Sequence, residues 1–189
     1  MALRQNRKIL VISFLLAAVM FLIPATADAE SRISFTDISA THWAKESIDS
    51  LVQLGVVSGF SDNTFRPDEP VTREQFAQLI TLAFYLDLPG DDSVPTFVDV
   101  SKSRWSYNAV EAAKDFLTGY YPPSGRAFFD PTGKATREDV AVALVRVLGY
   151  QPDELQNENI LQYYYDSDKI SPNLRTYMAL AVEKKLLLG

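Results

Sequence analysis

Two arginines stand at equivalent places in the sequence and are well suited to bind an acidic ligand. Arg73 and Arg137 each follow a threonine and precede a glutamate. Both are predicted to lie in the first turn of a helix, where a cation opposes the helix dipole. A guanidinium fork beside helix N–H groups is a receptor for a carboxylate. We therefore predict that both arginines bind an acidic group, the alternative being that they are simply solvated near a helix start.

Two tryptophans and two aspartates complete the set of candidate binding residues. Trp43 and Trp105 each stand six residues after an aspartate, Asp37 or Asp99. An indole face can stack on a sugar ring, but a tryptophan near a helix start is more often core, so we expect a dual role that is mostly structural. The aspartates either cap a helix or close a turn, or accept hydrogen bonds from sugar hydroxyls.

These residues belong to a unit that occurs twice in the same order. Each unit contains Phe-x-Asp, Trp, Gly followed by an aromatic residue, Phe-x-Pro and Thr-Arg-Glu. A partial third unit begins at Tyr164, with Asp166 as its acid and Asn173 where the tryptophan is expected, and its later motifs would lie beyond Gly189. We predict a first copy at residues 30–86, a second at 97–150 and a partial third at 164–189, with connectors at 87–96 and 151–163.

Each complete copy is predicted to be helix, loop, helix. Thr72 with Gln75 predicts a capping box, Thr136 with Asp139 predicts a weaker one, and Gly149 predicts a left-handed helix end. Since one helix pair cannot bury its own apolar face, we expect the copies to pack into one all-α domain. Core stripes are predicted at Ala44, Ile48, Leu51, Val52 and Gly55; at Ala109, Ala112, Ala113, Phe116 and Leu117; at Phe76, Leu79, Ile80 and Ala83; and at Val140, Ala143, Leu144, Val147 and Leu148.

The loop aromatics are predicted to hold the loops in place. We expect Phe60, Tyr120, Phe65 and Phe129 to pack beneath the loops, exposed stacking being the minor alternative. Among residues 163–165, three consecutive tyrosines, at least one ring is expected to replace Phe35 in the third copy.

Residues 1–29 read as a cleaved secretory signal peptide. A basic start precedes an apolar run at residues 9–23, and Ala27-Asp28-Ala29 suits cleavage, so the mature protein is expected to begin at Glu30. No later stretch has the apolar length of a membrane span, so no integral membrane segment is expected after cleavage.

Composition narrows the function further. The formal charge of −6 becomes −8 when the +2 of residues 1–29 is removed, which disfavours nucleic acid as a partner. Cysteine is absent and His42 is the single histidine, and no motif of a catalytic nucleophile, phosphate loop or zinc helix occurs. We expect no catalytic residues, no cofactor and no metal site. Calcium at residues 166–168 or 61–63 is a minor alternative, since neither segment fits the twelve-residue calcium loop.

The ordered motifs resemble the S-layer homology module, which usually comes in threes. The resemblance covers nearly all of residues 33–189 and implies a pseudo-threefold bundle, whose inter-repeat grooves bind secondary cell-wall polysaccharide often carrying ketal-linked pyruvate. It matches Arg73 and Arg137 to the family's Thr-Arg-Ala-Glu arginine. The remaining matches are to the family's opening acid, Asp37 and Asp99, and its opening aromatic, Trp43 and Trp105.

The resulting hypothesis is a secreted, non-catalytic module that anchors a protein to the bacterial cell wall. One alternative is the anchor of an exported carbohydrate-active enzyme whose catalytic domain lies beyond residue 189. Another is a structural protein that self-associates in a surface layer.

Overall fold

A computed structural model describes residues 34–90, 93–123 and 125–187 and contains five α-helices in those ranges. The predicted signal peptide and the start at Glu30 lie outside the described residues. The all-α prediction is confirmed, since these ranges hold isolated β-bridges but no regular strand. The helices are α1 (Lys45–Gln53), α2 (Arg73–Ala83), α3 (Tyr107–Ala113), α4 (Arg137–Val147) and α5 (Arg175–Glu183). Between α4 and α5 lie 3₁₀ turns at Pro152–Glu154, Ile160–Tyr163, Ser167–Lys169 and Pro172–Leu174.

The second helix of each complete copy packs on the first helix of the next copy. Helix α2 packs on α3, and α4 packs on α5. Small residues without solvent exposure, Ala77 and Ala113 at the first pair and Ala141 and Ala181 at the second, line these cores. The apolar stripes therefore meet between copies, which is how a repeat covers a face that it cannot bury by itself.

The first helix of the first copy is less covered. Ile48 packs with Phe35 and Ile38 in a small core of its own copy. Leu51 and Gly55, both predicted as core, are exposed. The stripe prediction is therefore partly wrong for α1, and also at Ala83 and Leu148, which are exposed. Helical spacing shows which residues share a face but not whether another element covers it.

The ends of α2 and α4 follow the capping chemistry of the sequence. Thr72 accepts the N–H of Gln75 at 3.3 Å and donates its own N–H to that side chain at 2.9 Å. Thr136 and Asp139 form the same reciprocal pair at 3.1 and 2.8 Å, so the second box is complete despite the shorter acid. Gly149 has φ +80° and ends α4 as predicted.

Candidate functional site

An aspartate in each complete copy binds the Phe-x-Pro loop of the same copy. Asp37 accepts the N–H groups of Phe65 at 2.9 Å and Arg66 at 2.7 Å. Asp99 accepts the same two bonds from residues 129–130, also at 2.9 and 2.7 Å. Burial acts to raise the pKa of Asp37, but the two N–H donors outweigh it and lower that pKa. Both aspartates therefore accept hydrogen bonds from the loops of their own copies, which is the turn-closing alternative.

The loop phenylalanines pack on the aromatic residue that opens each copy. The ring of Phe65 lies 5.3 Å from that of Phe35, and Phe129 lies 5.2 Å from Phe97. Gly59 is required beside this pair, since a Cβ there would lie 2.2 Å from a ring carbon of Phe35. For Phe65 and Phe129, the prediction that they hold the loops is confirmed.

The other two loop aromatics behave differently. Phe60 is 38% exposed and Tyr120 is 64% exposed, so the prediction that they pack beneath the loops is wrong. The guanidinium carbon of Arg66 lies 4.0 Å from the Phe60 ring centre. Phe60 is therefore covered from outside by a cation, a contact that the repeat pattern did not reveal.

Arg73 joins the first copy to the second. Its Nε donates to the Phe129 carbonyl at 2.7 Å, and its Nη2 donates to the Thr118 carbonyl at 2.5 Å. Its Nη1 donates to the Thr118 hydroxyl at 2.9 Å and to Asp139 at 2.6 Å. These four bonds use four of the five guanidinium N–H groups, and the side chain is only 14% exposed. The structure therefore places this candidate ligand within a network between copies, which we call the Arg73 network.

The glutamate of each Thr-Arg-Glu motif also binds the following copy. Glu74 forms two hydrogen bonds with Arg104, at 2.7 and 2.8 Å, and accepts the Ser106 hydroxyl at 2.6 Å. Glu138 accepts the N–H of Ser171 at 2.5 Å and its hydroxyl at 2.9 Å. The motif is thus a repeated connector between neighbouring copies.

Burial and hydrogen bonding oppose each other at the acids of these contacts. Burial acts to raise the pKa of Asp139, but the Thr118 hydroxyl, the Thr136 N–H and Arg73 outweigh it and lower that pKa. Burial also acts to raise the pKa of Glu74, but the hydrogen bonds from Arg104 and Ser106 outweigh it and lower that pKa. Both carboxylates are therefore held in the ionised form by their partners.

Arg137 lies in a different environment from Arg73. It is exposed at the start of α4 and lines a groove of about 650 Å³. Lys169 and the three tyrosines at residues 163–165 line the same groove. Tyr163 and Tyr165 are exposed, whereas Tyr164 is half-buried. Two cations, a helix start and aromatic rings thus share one accessible surface, which we call the Arg137 groove.

The two tryptophans are far more exposed than expected. Trp43 is 91% exposed and Trp105 is 61% exposed, so neither indole is a core residue, although the Trp105 side chain also hydrogen-bonds Glu74. Trp105 lines a second groove, of about 470 Å³, together with the loop of the first copy. Gln75, Gln78 and Arg66 are among its polar lining residues. Both indoles are accessible to a ligand.

Three important partners were missed from the sequence. Thr118 and Asp139 bind Arg73, and Arg104 binds Glu74. Each partner lies far along the sequence from the residue that it binds. The recurrence of Glu74 and Glu138 after the two arginines was the available signal. It indicated a common role for the glutamates without identifying their partners.

The described residues contain neither a candidate membrane span nor a candidate metal-binding group. No helix among them is long and apolar enough to cross a bilayer. Within the same residues, no group of three or more His, Asp or Glu side chains is arranged to hold a metal ion.

Comparison with known proteins agrees with the resemblance to the S-layer homology module. Residues 34–77 match the model of the S-layer homology domain. The chain carries an S-layer homology domain. A Surface-layer 125 kDa protein of Lysinibacillus sphaericus is 29% identical over 98% of the chain and 15% of its own length. An S-layer protein of Bacillus licheniformis is 36% identical over 59% of the chain and 12% of its own length.

A third relative is of a different kind. An Endoglucanase of Bacillus sp. (strain KSM-635) is 29% identical over 100% of the chain and 20% of its own length. The chain thus spans a fifth or less of these three relatives. S-layer homology domains are non-catalytic anchoring modules, and these similarities support a place for the chain at the bacterial cell surface.

Proposed function

We propose that this protein attaches to an acidic cell-wall polysaccharide through the Arg137 groove. The observation that carries the proposal is the combination of Arg137, Lys169 and exposed tyrosines on one surface beside the start of α4. A carboxylate substituent, such as a pyruvate ketal, would receive the guanidinium fork and the helix N–H groups. Arg73 is assigned to the contact between copies, because its guanidinium already makes four hydrogen bonds there.

The charge of the protein makes local contacts necessary. With a formal net charge of −6, the whole chain gives a polyanion no general attraction. Two acids also line the groove. Glu138 accepts a hydrogen bond from Ser171, and the second acid is Asp166. Affinity for an acidic polymer must therefore come from the positioned cations and from contacts to the uncharged part of the sugar.

Exposed aromatic rings supply that second kind of contact. Tyr163 and Tyr165 are exposed residues that line the Arg137 groove, and tyrosine offers an apolar ring with a polar tip. Trp105 lines the second groove with Gln75 and Gln78, whose amides can donate to and accept from hydroxyls.

The test is a titration of purified cell-wall polysaccharide against single variants. Arg137→Ala is expected to weaken binding by roughly ten- to a hundredfold, because a hydrogen bond to a charged group contributes about 1.5–3 kcal/mol. Arg137→Lys should recover part of the affinity, since it keeps the charge but lacks the planar fork. Removal of the polymer's acidic substituents should greatly reduce the difference between Arg137→Ala and the unmodified protein.

Lys134→Ala is the matched control, because it removes another exposed cation that does not line the groove. Its affinity should stay close to that of the unmodified protein. Equal binding by the unmodified protein, Arg137→Ala and a Lys169→Ala variant would show that the groove is not the site.

A second proposal concerns the protein that the module serves. The full-length match of this chain to part of an endoglucanase supports an exported carbohydrate-active enzyme as the anchored protein. Assay of the complete gene product on β-glucan and peptidoglycan tests it. Activity would support the enzyme, and its absence on both substrates would favour a structural surface protein.

A further inference from the structure

The loop of the second copy carries an exposed aromatic surface that the first copy lacks. Tyr120 and Phe128 are directly paired in an antiparallel bridge, with both N–H···O bonds at 2.9 Å. Ala127 bridges to Phe97, and both of these side chains are buried. Because side chains alternate along extended backbone, Phe128, its partner Tyr120 and the residue after Phe97 lie on the opposite, solvent side. We call these three residues, Val98, Tyr120 and Phe128, the aromatic face.

The first copy has the same backbone framework. Phe60 donates its N–H to the Thr64 carbonyl at 2.8 Å, as Tyr120 does to Phe128. Thr36 donates to the Asn63 carbonyl at 2.9 Å, as Val98 does to Ala127. The equivalents of the aromatic face are therefore Thr36, Phe60 and Thr64, which include one ring instead of two.

A cation covers that single ring. Arg66 places its guanidinium carbon 4.0 Å from the Phe60 ring centre. Its Nε donates to the Thr64 hydroxyl at 3.1 Å, and its Nη2 donates to Asp62 at 3.0 Å. The Thr64 hydroxyl and Arg66 lower the pKa of Asp62 to about 2, so the partner of the guanidinium stays charged. The first copy thus closes its aromatic surface internally.

The second copy has an aspartate where this arginine stands. Asp130 shares the backbone conformation of Arg66, with φ 58° against 60°, and the same N–H bond to the copy's own aspartate. Its short acidic side chain cannot cover a ring as the guanidinium does. Tyr120 accordingly is 64% exposed and Phe128 is 48% exposed.

We propose that the aromatic face is a second carbohydrate subsite, which binds uncharged pyranose units of the wall polymer. Tyrosine and phenylalanine rings stack on the apolar C–H face of a sugar, and the Tyr120 hydroxyl offers a polar partner for its hydroxyls. Exposed Arg126 and Asp130 flank Phe128 in sequence with opposite charges, so the aromatic face gives an acidic sugar no net attraction, unlike the Arg137 groove. The inference rests on the proposed function only in taking wall polysaccharide as the ligand.

The experiment uses purified wall polysaccharide from which the acidic substituents have been removed by mild acid. Tyr120→Ala should bind this probe roughly three- to tenfold more weakly, the range expected for the loss of one aromatic contact. Phe128→Ala should weaken binding similarly, because it removes the other exposed ring of the aromatic face. Both side chains are exposed, so thermal melts of the two variants should stay close to that of the unmodified protein.

A matched control separates this effect from a general loss of exposed aromatic residues. Tyr85→Ala removes an exposed ring that lines neither groove and lies outside the aromatic face. It should bind the probe like the unmodified protein. Unchanged binding by Tyr120→Ala, or a loss in Tyr85→Ala as large as that in Tyr120→Ala, would overturn the proposal.

The outcome is distinguishable from that of the proposed function. Arg137→Ala should weaken binding of the native acidic polymer much more than binding of the neutral probe. If only Arg137→Ala has its predicted effect, the aromatic face is not a subsite. If only the Tyr120→Ala and Phe128→Ala effects appear, the Arg137 groove is not the site of acidic recognition.

Discussion

Arg73 and Arg137 show how one motif residue can serve two purposes. Each is the first residue of a capped helix, yet Arg73 is 14% exposed in a network with the next copy while Arg137 lines an open groove. Their shared position in the repeat comes from local sequence. Their different roles depend on which segments of the following copy surround them.

The first prediction is that Arg73→Ala destabilises the fold. The substitution leaves Asp139 and the Phe129 and Thr118 carbonyls without a donor that they now share. Removal of one member of a buried ion pair costs about 3–5 kcal/mol, and we expect about 3 kcal/mol here because both partners keep some exposure. The measurement is urea unfolding followed by circular dichroism.

Arg137→Ala is the matched control, because it removes the same side chain from the same helix position at an exposed site. Its free energy of unfolding should change by less than that of Arg73→Ala, because the Arg137 side chain is exposed. If Arg73→Ala is equally mild, the Arg73 network does not hold the copies together.

The sequence alone shows which residues are candidates, but it does not show which groups surround them in the fold. The types and spacing of Asp37 and Asp99 left helix capping, turn closure and sugar binding open, and only the tertiary structure shows that they bind their own loops. Exposure of Trp43 and Trp105 could not be predicted either. It depends on which distant elements cover an indole, and helical periodicity carries no such information.

At the scale of the element, caps and loop glycines were the most predictable features because their chemistry is local. The capping boxes of α2 and α4 and the glycine end of α4 all lie where short-range sequence signals indicate. The exposed side of α1 was not predictable, since its stripe looked like that of a fully covered helix.

The second prediction concerns the two capping boxes. Thr72→Ala and Thr136→Ala should each lower the free energy of unfolding by about 1 kcal/mol, because each leaves a helix N–H group without its side-chain acceptor. For a domain of this size that corresponds to about 2–4 °C in Tm. Differential scanning calorimetry of both variants measures it.

Thr176→Ala provides the comparison, since this exposed threonine lies within α5 and is not its cap. Alanine favours helix interiors, so Tm should stay the same or rise slightly. Similar losses in Thr176→Ala and the two cap variants would show that the hydroxyl caps are not responsible.

At the scale of the molecule, the Thr-Arg-Glu motif explains how acidic copies without cysteine are held together. Its threonine starts the second helix, its glutamate binds the following copy in both cases, and its first arginine does the same. The helix pairs α2 with α3 and α4 with α5 bury their apolar stripes across the same boundaries. Polar and apolar contacts between copies therefore form together, so local sequence and global packing support one structure.

The last prediction is that acid separates these contacts. The folded protein lowers the pKa of Asp139 and of Glu74, so it binds protons at these groups less readily than the unfolded chain does. Their stabilising contribution is therefore complete above the ordinary carboxyl pKa of about 4, and it is lost as pH falls through the lowered folded values. Tm should stay nearly constant between about pH 7 and 5 and fall below about pH 4.

Asp139→Asn isolates one of these groups from other carboxylates with a lowered pKa, such as Asp37 and Asp62. At pH 7 this variant should melt below the unmodified protein, because it loses the charged partner of Arg73. Its Tm should fall less on acidification, since one titrating group is gone, so the two curves should converge towards low pH. Glu158→Gln, at an exposed acid, should follow the unmodified protein throughout. Parallel curves for Asp139→Asn and the unmodified protein would mean that the Arg73–Asp139 contact does not confer acid sensitivity on the joined copies.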